Sequence, residues 1–140
     1  MFDLPIRSVM ERKKLIIAKP QVSVSQAARL MATKNAGAVL VVEDHQLIGI
    51  FTERDVVFRV IAPGLDPKDT LLSEVMTANP KTLSPTECYG HALVIMQENG
   101  FRHVPVVEDG HAIGIVSSRN AMDPDLEEFI ADQRRREHYQ

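Results

Sequence analysis

Two short stretches hold the residues best placed to do chemistry: Gly49-Ile50-Phe51-Thr52-Glu53-Arg54-Asp55 and Gly114-Ile115-Val116-Ser117-Ser118-Arg119-Asn120. Each runs from an apolar, strand-like segment into a polar one. Each puts a hydroxyl, an arginine and an Asp or Asn at matching positions. A Thr or Ser at a helix start lies beside free N–H groups and the positive dipole end, a setting that favours an anion such as phosphate. Arg54 and Arg119 can clamp that phosphate through paired N–H groups. Asp55, one turn further on, offers a carboxylate suited to two adjacent ribose hydroxyls, and Asn120 is its counterpart. The glycine of each stretch lets another backbone or a flat ligand come close. A plainer role competes, with Thr52 as an N-cap and Asp55 supporting the first turn. The doubled pattern with its matching arginine tips the reading towards a ligand site.

The elements that must position these residues are themselves written twice. Val39 to Asp55 read VLVVEDHQLIGIFTERD and Val104 to Asn120 read VPVVEDGHAIGIVSSRN, with nine of these 17 positions identical at an offset of 65. A repeat of this kind defines the structural unit before any propensity is consulted. It predicts two halves packed about a pseudo-twofold axis, with two related clefts between them.

Each copy opens on a segment ending in Val-Met (Val9-Met10, Val75-Met76), followed by a brief extended piece (Leu15 to Ile17, Lys81 to Leu83) and a proline, Pro20 or Pro85. Ala27, Leu30 and Met31, and then Ala92, Ile95 and Met96, are spaced to share one apolar helical face. Ser25 and Ser84 are candidate caps. Ala38 to Val42 is β-branched and apolar, reading as a strand covered on both faces. A polar turn follows before Leu47 to Thr52, and Asp109-Gly110 in the second copy suits a two-residue hairpin. Thr52 opens a helix through Val56, Val57, Val60 and Ile61, ended by Ala62-Pro63-Gly64. Each unit therefore reads β-α-β-β-α, an α/β (α+β) fold of two repeats, 1–64 and 65–123. A helical tail follows at 124–140, with Arg134 to Arg136 near its C-terminal end to match the dipole.

At 140 residues the chain suffices for one core, which two such small halves must share. A net charge of −3 argues against bulk electrostatic binding to nucleic acid or an anionic membrane. The opening MFDLPIRS has no apolar h-region, and the longest apolar run, Ala36 to Val42, is far too short to span a bilayer. With a single cysteine, Cys88, these features point to a reducing cytoplasm.

The strand, hairpin and helix ending in G-h-h-[ST]-x-x-[DN], preceded in the second copy by Gly100-Phe101-Arg102-His103-Val104-Pro105, resembles the CBS domain, named after cystathionine β-synthase. Two in tandem resemble a CBS pair, or Bateman module, over about residues 5 to 123. The resemblance implies a sensor that binds adenine nucleotides or related ligands (AMP, ADP, ATP, S-adenosylmethionine or NAD) between its repeats, with no required cofactor. It also implies that Asp55 and Asn120 fall at the ribose position, with Thr52 and Ser117 beside them. Ile17 and Thr82, with Val39 and Val104, would frame the base. Two departures imply unequal clefts: Leu40 stands opposite Pro105, and Asn120 replaces Asp.

Weaker signals surround this core reading. His103, inside the nucleotide motif, is a candidate phosphate partner. The five histidines lack tight metal spacing, although His103 and His111 can be imagined meeting across a hairpin, and no metal is expected. Cys88 has no evident base beside it and reads as inert packing. There is no Ser-His-Asp grouping, P-loop or paired catalytic carboxylate, so no enzyme is expected. The expectation is a stand-alone CBS pair that binds an adenosine ligand and signals to an unknown protein target. The alternative is a dimerisation or docking module with vestigial clefts. A homodimer is expected through helical faces carrying Ala27, Met31, Ala92 and Met96.

Overall fold

Ala38, Val39, Leu40 and Val41 are all buried, as an apolar β-branched run covered on both faces requires. The structure, a computed structural model, describes residues 2–121 and 123–138, and the side chains of residues 120–128 and 130 lie outside the description. In chain order its first repeat comprises α1 (Ile6–Val9), β1 (Ile17–Ala18), α2 (Val24–Lys34), β2 (Ala38–Glu43), β3 (Gln46–Thr52) and α3 (Glu53–Asp55), which runs on as a π-helix, Val56–Ile61. The second comprises α4 (Leu72–Val75), β4 (Thr77–Ala78), α5 (Tyr89–Asn99), β5 (His103–Glu108), β6 (His111–Ser117) and a 3-10 turn, Ser118–Ala121. The terminal helix, α6 (Asp123–His138), completes the chain. The structure thus has the mixed α/β character and the two repeats read from the sequence.

The hairpins β2–β3 and β5–β6 are congruent. Ala38 pairs with Thr52 and His103 with Ser117, and each hairpin carries one irregularity, between Val41 and Val42 and between Val106 and Val107. Both turns need two consecutive residues at positive φ. Asp109 and Gly110 supply them at 53° and 81°, Asp44 and His45 at 51° and 66°. Leu40 and Pro105 separate the copies as expected. The Leu40 N–H donates to the Ile16 carbonyl, extending β1 as a two-residue parallel pairing. Pro105 has no N–H to give, and the corresponding pairing shrinks to a single bridge at Leu83.

Each repeat lends its opening segment to the other. Leu72 and Val75 of α4 complete the core built on Val39, Val41 and Phe51. Ile6 of α1 and the following Met10 complete the core of Val104, Val106 and Val116. The space over Gly114 is filled by Met10, whose Sδ would lie 2.7 Å from a Cβ placed there, and Met76 fills the space over Gly49 more tightly still. The two glycines therefore admit a methionine of the other half, and at Gly114 the Glu11 backbone carbonyl also comes close, 3.2 Å from such a Cβ. Ala38, Leu40 and Ile50, with Leu15, Ala112 and Ile115 against them, form the apolar seam between the halves.

Several local expectations are corrected. α2 is capped by Ser23 in a reciprocal box with Gln26, so Ser25 is helical. α5 has Cys88 at its N-cap position with no side-chain cap, while Ser84 accepts within its own turn from the Thr86 N–H. Ala27, Met31, Ala92 and Met96 are buried inside the two cores and offer nothing to a second chain. Leu30, expected on the same buried face, is instead exposed, as is Val94 on α5. Among the described residues, no helix is long and apolar enough to cross a membrane.

Candidate functional site

β3 ends at Thr52, which caps α3 through a reciprocal pair. The Asp55 N–H donates to Thr52 Oγ1 (3.4 Å), while Asp55 Oδ2 accepts from the Thr52 N–H (2.8 Å) and hydroxyl (3.1 Å). The capping role weighed for Thr52 and Asp55 is therefore present. The other carboxylate oxygen, Oδ1, lies 3.4 Å from Arg59 Nε. Arg59 also donates to the carbonyls of Val75 and Met76, tying this corner to the start of the second repeat. These contacts orient the carboxylate without exhausting its acceptor sites, since each oxygen carries two lone pairs.

A short helix start is a poor anion site when its N–H groups are in use. The Glu53 N–H donates to the Gly37 carbonyl at 2.9 Å, and that of Asp55 is taken by Thr52. The cationic groups at this corner are side chains instead. The Arg54 guanidinium lies over the Phe58 ring, 4.4 Å from its centroid, a cation–π contact that holds it above the cleft.

That cleft has a volume of about 640 Å³ and runs between the repeats. Ile50, Thr52, Glu53, Arg54 and Asp55 line it from the first repeat; Pro80, Lys81, Phe101, Arg102 and His103 from the second. A second cleft, about 390 Å³, repeats the arrangement with the halves exchanged. Ile115, Ser117, Ser118 and Arg119 stand for Ile50, Thr52, Glu53 and Arg54, while Leu15, Ala36, Gly37 and Ala38 stand for Pro80, Phe101, Arg102 and His103. Every one of these pairs is related by the offset of 65 found in the sequence. The hydrogen bond from Glu53 to Gly37 recurs as Ser118 to Arg102, at 3.0 Å.

Of the residues singled out from sequence, Thr52, Arg54, Asp55 and His103 meet in the larger cleft, and Ser117, Arg119 and His103 in the smaller. Asn120 lies in the 3-10 turn beside them, with its side chain outside the described residues. The base-framing residues are not brought together. Val39 and Val104 are fully buried in the cores and Pro105 is buried with them, so their side chains back the cleft walls from within. Ile17 and Thr82 are exposed and line neither cleft. The apolar surfaces facing the clefts come instead from Phe58, Pro80 and Phe101 on one side and Leu15, Ala36 and Ile115 on the other. Lys81, Arg59, Arg102 and Glu53 were not recognised as lining residues from sequence, though the offset of 65 marks Glu53 and Arg102 as partners of Ser118 and Gly37.

His103 is half-buried at the boundary of both clefts. Desolvation lowers its pKa from the ordinary 6.5; Glu53 opposes the shift, and Arg119 and Arg102 add to it. His103 and His111 sit at opposite ends of their hairpin, facing Ser117 and Glu108, so they do not meet. His111 packs edge-on to His45 of the other repeat. Among the described residues, no group of three or more His, Cys, Asp or Glu side chains is placed to hold a metal ion. Cys88, expected as packing, is exposed.

Comparison with known proteins extends this picture. The family model described as "CBS domain" matches twice, at residues 6–62 and 72–124. The meiotically up-regulated gene 70 protein of Schizosaccharomyces pombe is 35% identical over 121 residues, 79% of this chain, which spans only 17% of that relative's length. A conserved protein from Pyrococcus horikoshii, known from its crystal structure, is 33% identical with a TM-score of 0.81, covering 89% of this chain and 94% of its own. The CBS domain pair of protein MJ0100, solved in complex with 5′-methylthioadenosine and S-adenosyl-L-methionine, is 25% identical with a TM-score of 0.78, covering 86% and 98%.

Proposed function

This chain belongs to the CBS-domain family, and on that premise we propose that it is a regulatory module that binds an adenosine-containing ligand between its repeats. The observation that carries the reading is the recurrence, at a constant offset, of one set of lining positions in two inter-repeat clefts. Volumes of about 640 and 390 Å³ suit ligands of nucleoside size. A ligand of this class bound to the MJ0100 pair supports the choice of adenosine. In this reading Asp55 accepts from the ribose hydroxyls through the free lone pairs of its carboxylate. Arg54, Lys81 and Arg102 meet the 5′ phosphate, and Phe101, Phe58 and Pro80 offer the base its apolar contacts. Ser117, Arg119 and Asn120 serve the smaller cleft in the same roles.

AMP, ADP and ATP suit the cationic lining; S-adenosylmethionine and NAD share the same ribose chemistry. The role is sensing rather than catalysis, exerted on a protein partner, and the working state is a homodimer. With Ala27, Met31, Ala92 and Met96 buried, the exposed apolar residues available for that contact include Leu30, Val94, Val57 and Ile61. The division into repeats at 1–64 and 65–123 with a tail from 124 belongs to the same proposal.

Thermal unfolding with and without each ligand tests the reading. A ligand that binds only the folded chain stabilises it by mass action. AMP, ATP or S-adenosylmethionine at millimolar concentration should raise Tm, and GMP should do so less. No rise with any adenosine ligand, from a chain that melts cooperatively, contradicts the proposal.

A further inference from the structure

Glu53, Arg102 and His103 line both clefts, so the wall between them is a single layer of side chains. Gly37 lets that layer close in: a Cβ there would stand 3.1 Å from Glu53 Oε1 and 3.2 Å from His103 Nε2. The wall therefore carries one permanent cation, the Arg102 guanidinium, and one carboxylate, for two clefts. The private charges differ. Arg54, Arg59 and Lys81 line only the larger cleft, whereas Lys14 and Arg119 line only the smaller, where Glu11 offsets them.

We infer that the two clefts are coupled through this shared wall, so that a phosphate-bearing ligand in the larger cleft weakens the binding of a second one in the smaller. The inference rests on the adenosine-ligand reading above. A guanidinium presents one forked pair of donors to a phosphate, and once Arg102 is engaged from one side it is withdrawn from the other. The bound phosphate also places negative charge one side chain away from the second site, where like charges repel across a medium of low dielectric. The larger cleft fills first, because it has more cations of its own and a ribose acceptor in Asp55. An uncharged nucleoside brings no phosphate to the wall and leaves the clefts independent. The penalty is reciprocal, since linkage acts equally in both directions, and roughly tenfold, within the usual range for coupled sites.

Calorimetric titration of the full chain with AMP and, in parallel, with adenosine tests this on the parent, Asp55→Ala and Arg102→Gln. The parent should bind a second AMP at least roughly tenfold more weakly than the first. In Asp55→Ala, where the larger cleft has lost its ribose acceptor, the smaller cleft should take AMP about tenfold more tightly than it does as the parent's second step. Its affinity for adenosine should not change. Arg102→Gln should weaken the first AMP step, leave the second nearly unchanged because Arg102 is already withdrawn from it, and spare adenosine. A smaller-cleft affinity for AMP that is the same in parent and Asp55→Ala overturns the coupling and leaves the adenosine reading standing. So does an Arg102→Gln variant that keeps the parent's full gap between its two AMP steps. Absence of heat with both ligands overturns the functional reading, and the coupling with it.

Discussion

Replacing Asp55 with alanine removes a helix cap and, on the proposed adenosine reading, a ligand contact as well, and the two losses are read by different instruments. The cap consists of the Asp55 carboxylate on the Thr52 N–H and hydroxyl, and the Thr52 hydroxyl on the Asp55 N–H. Losing such a cap costs about 0.5–2 kcal/mol. The Arg59 contact adds little, because about half of the arginine side chain is exposed and solvent screens it. A loss of about 1–2 kcal/mol in a chain of this size lowers Tm by about 3–8 °C. The ligand loses charged acceptors for its ribose hydroxyls, worth about 1.5–3 kcal/mol, or roughly 10- to 150-fold in affinity. Thr52→Ala is the comparison, since it damages the same cap and keeps the carboxylate. It should melt lower yet bind AMP nearly as the parent does. Scanning calorimetry and AMP titration on the same preparations measure both quantities. An Asp55→Ala protein that melts lower but binds AMP and ATP like the parent refutes the ribose assignment and leaves Asp55 a cap alone.

Arg54→Ala should weaken AMP about tenfold and leave adenosine nearly unchanged, since it removes a charge-assisted phosphate contact; titration with both ligands checks it. Burial holds His103 below the ordinary 6.5, so the unfolded chain takes up its proton first as pH falls. Its contribution to stability is therefore fully present above pH 6.5 and is lost as pH falls below that value, a slope that denaturant melts should find reduced in His103→Gln. AMP affinity should rise as pH falls below 6.5 in the parent more than in His103→Gln, because the proton adds positive charge facing the phosphate. Gly49→Ala drives a methyl into Met76 and should destabilise by about 1–3 kcal/mol in chemical denaturation. Light scattering should give twice the 15.6 kDa chain mass, and a monomer at high micromolar concentration contradicts the dimer.

The hairpins were legible because their burial is written into local sequence: Ala38 to Val42 and Val104 to Val107 have few polar atoms to spare, and Asp109-Gly110 names its own turn. The cap of α2 was also written locally, as Ser23-Val24-Ser25-Gln26, where the reciprocal pairing needs the serine three residues before the glutamine. Ser25, with Ala28 three residues on, lacks that spacing. The exchange of opening segments was not legible, since Met10 meets Gly114 from across most of the chain and no periodicity marks such a contact. The π-helix at Val56–Ile61 has no sequence signature here either. It coincides with Arg59, whose bonds to Val75 and Met76 are tertiary. For the site, the motif pointed to Thr52, Arg54 and Asp55, which fall within four residues on one corner and line the larger cleft together. The opposing wall of Lys81, Phe101 and Arg102 comes from the other repeat, and only the folded arrangement turns Val39 and Val104 inward.

An amide chemical-shift titration of the labelled chain with AMP tests the central claim most directly, since it reports both binding and place. The account predicts saturable shifts concentrated at Thr52 to Asp55, Lys81 and Phe101 to His103, with Ser117 to Arg119 following at higher ligand concentration. Saturable shifts confined to surfaces outside both clefts, or no shifts with AMP, ATP or S-adenosylmethionine at millimolar concentration, contradict it.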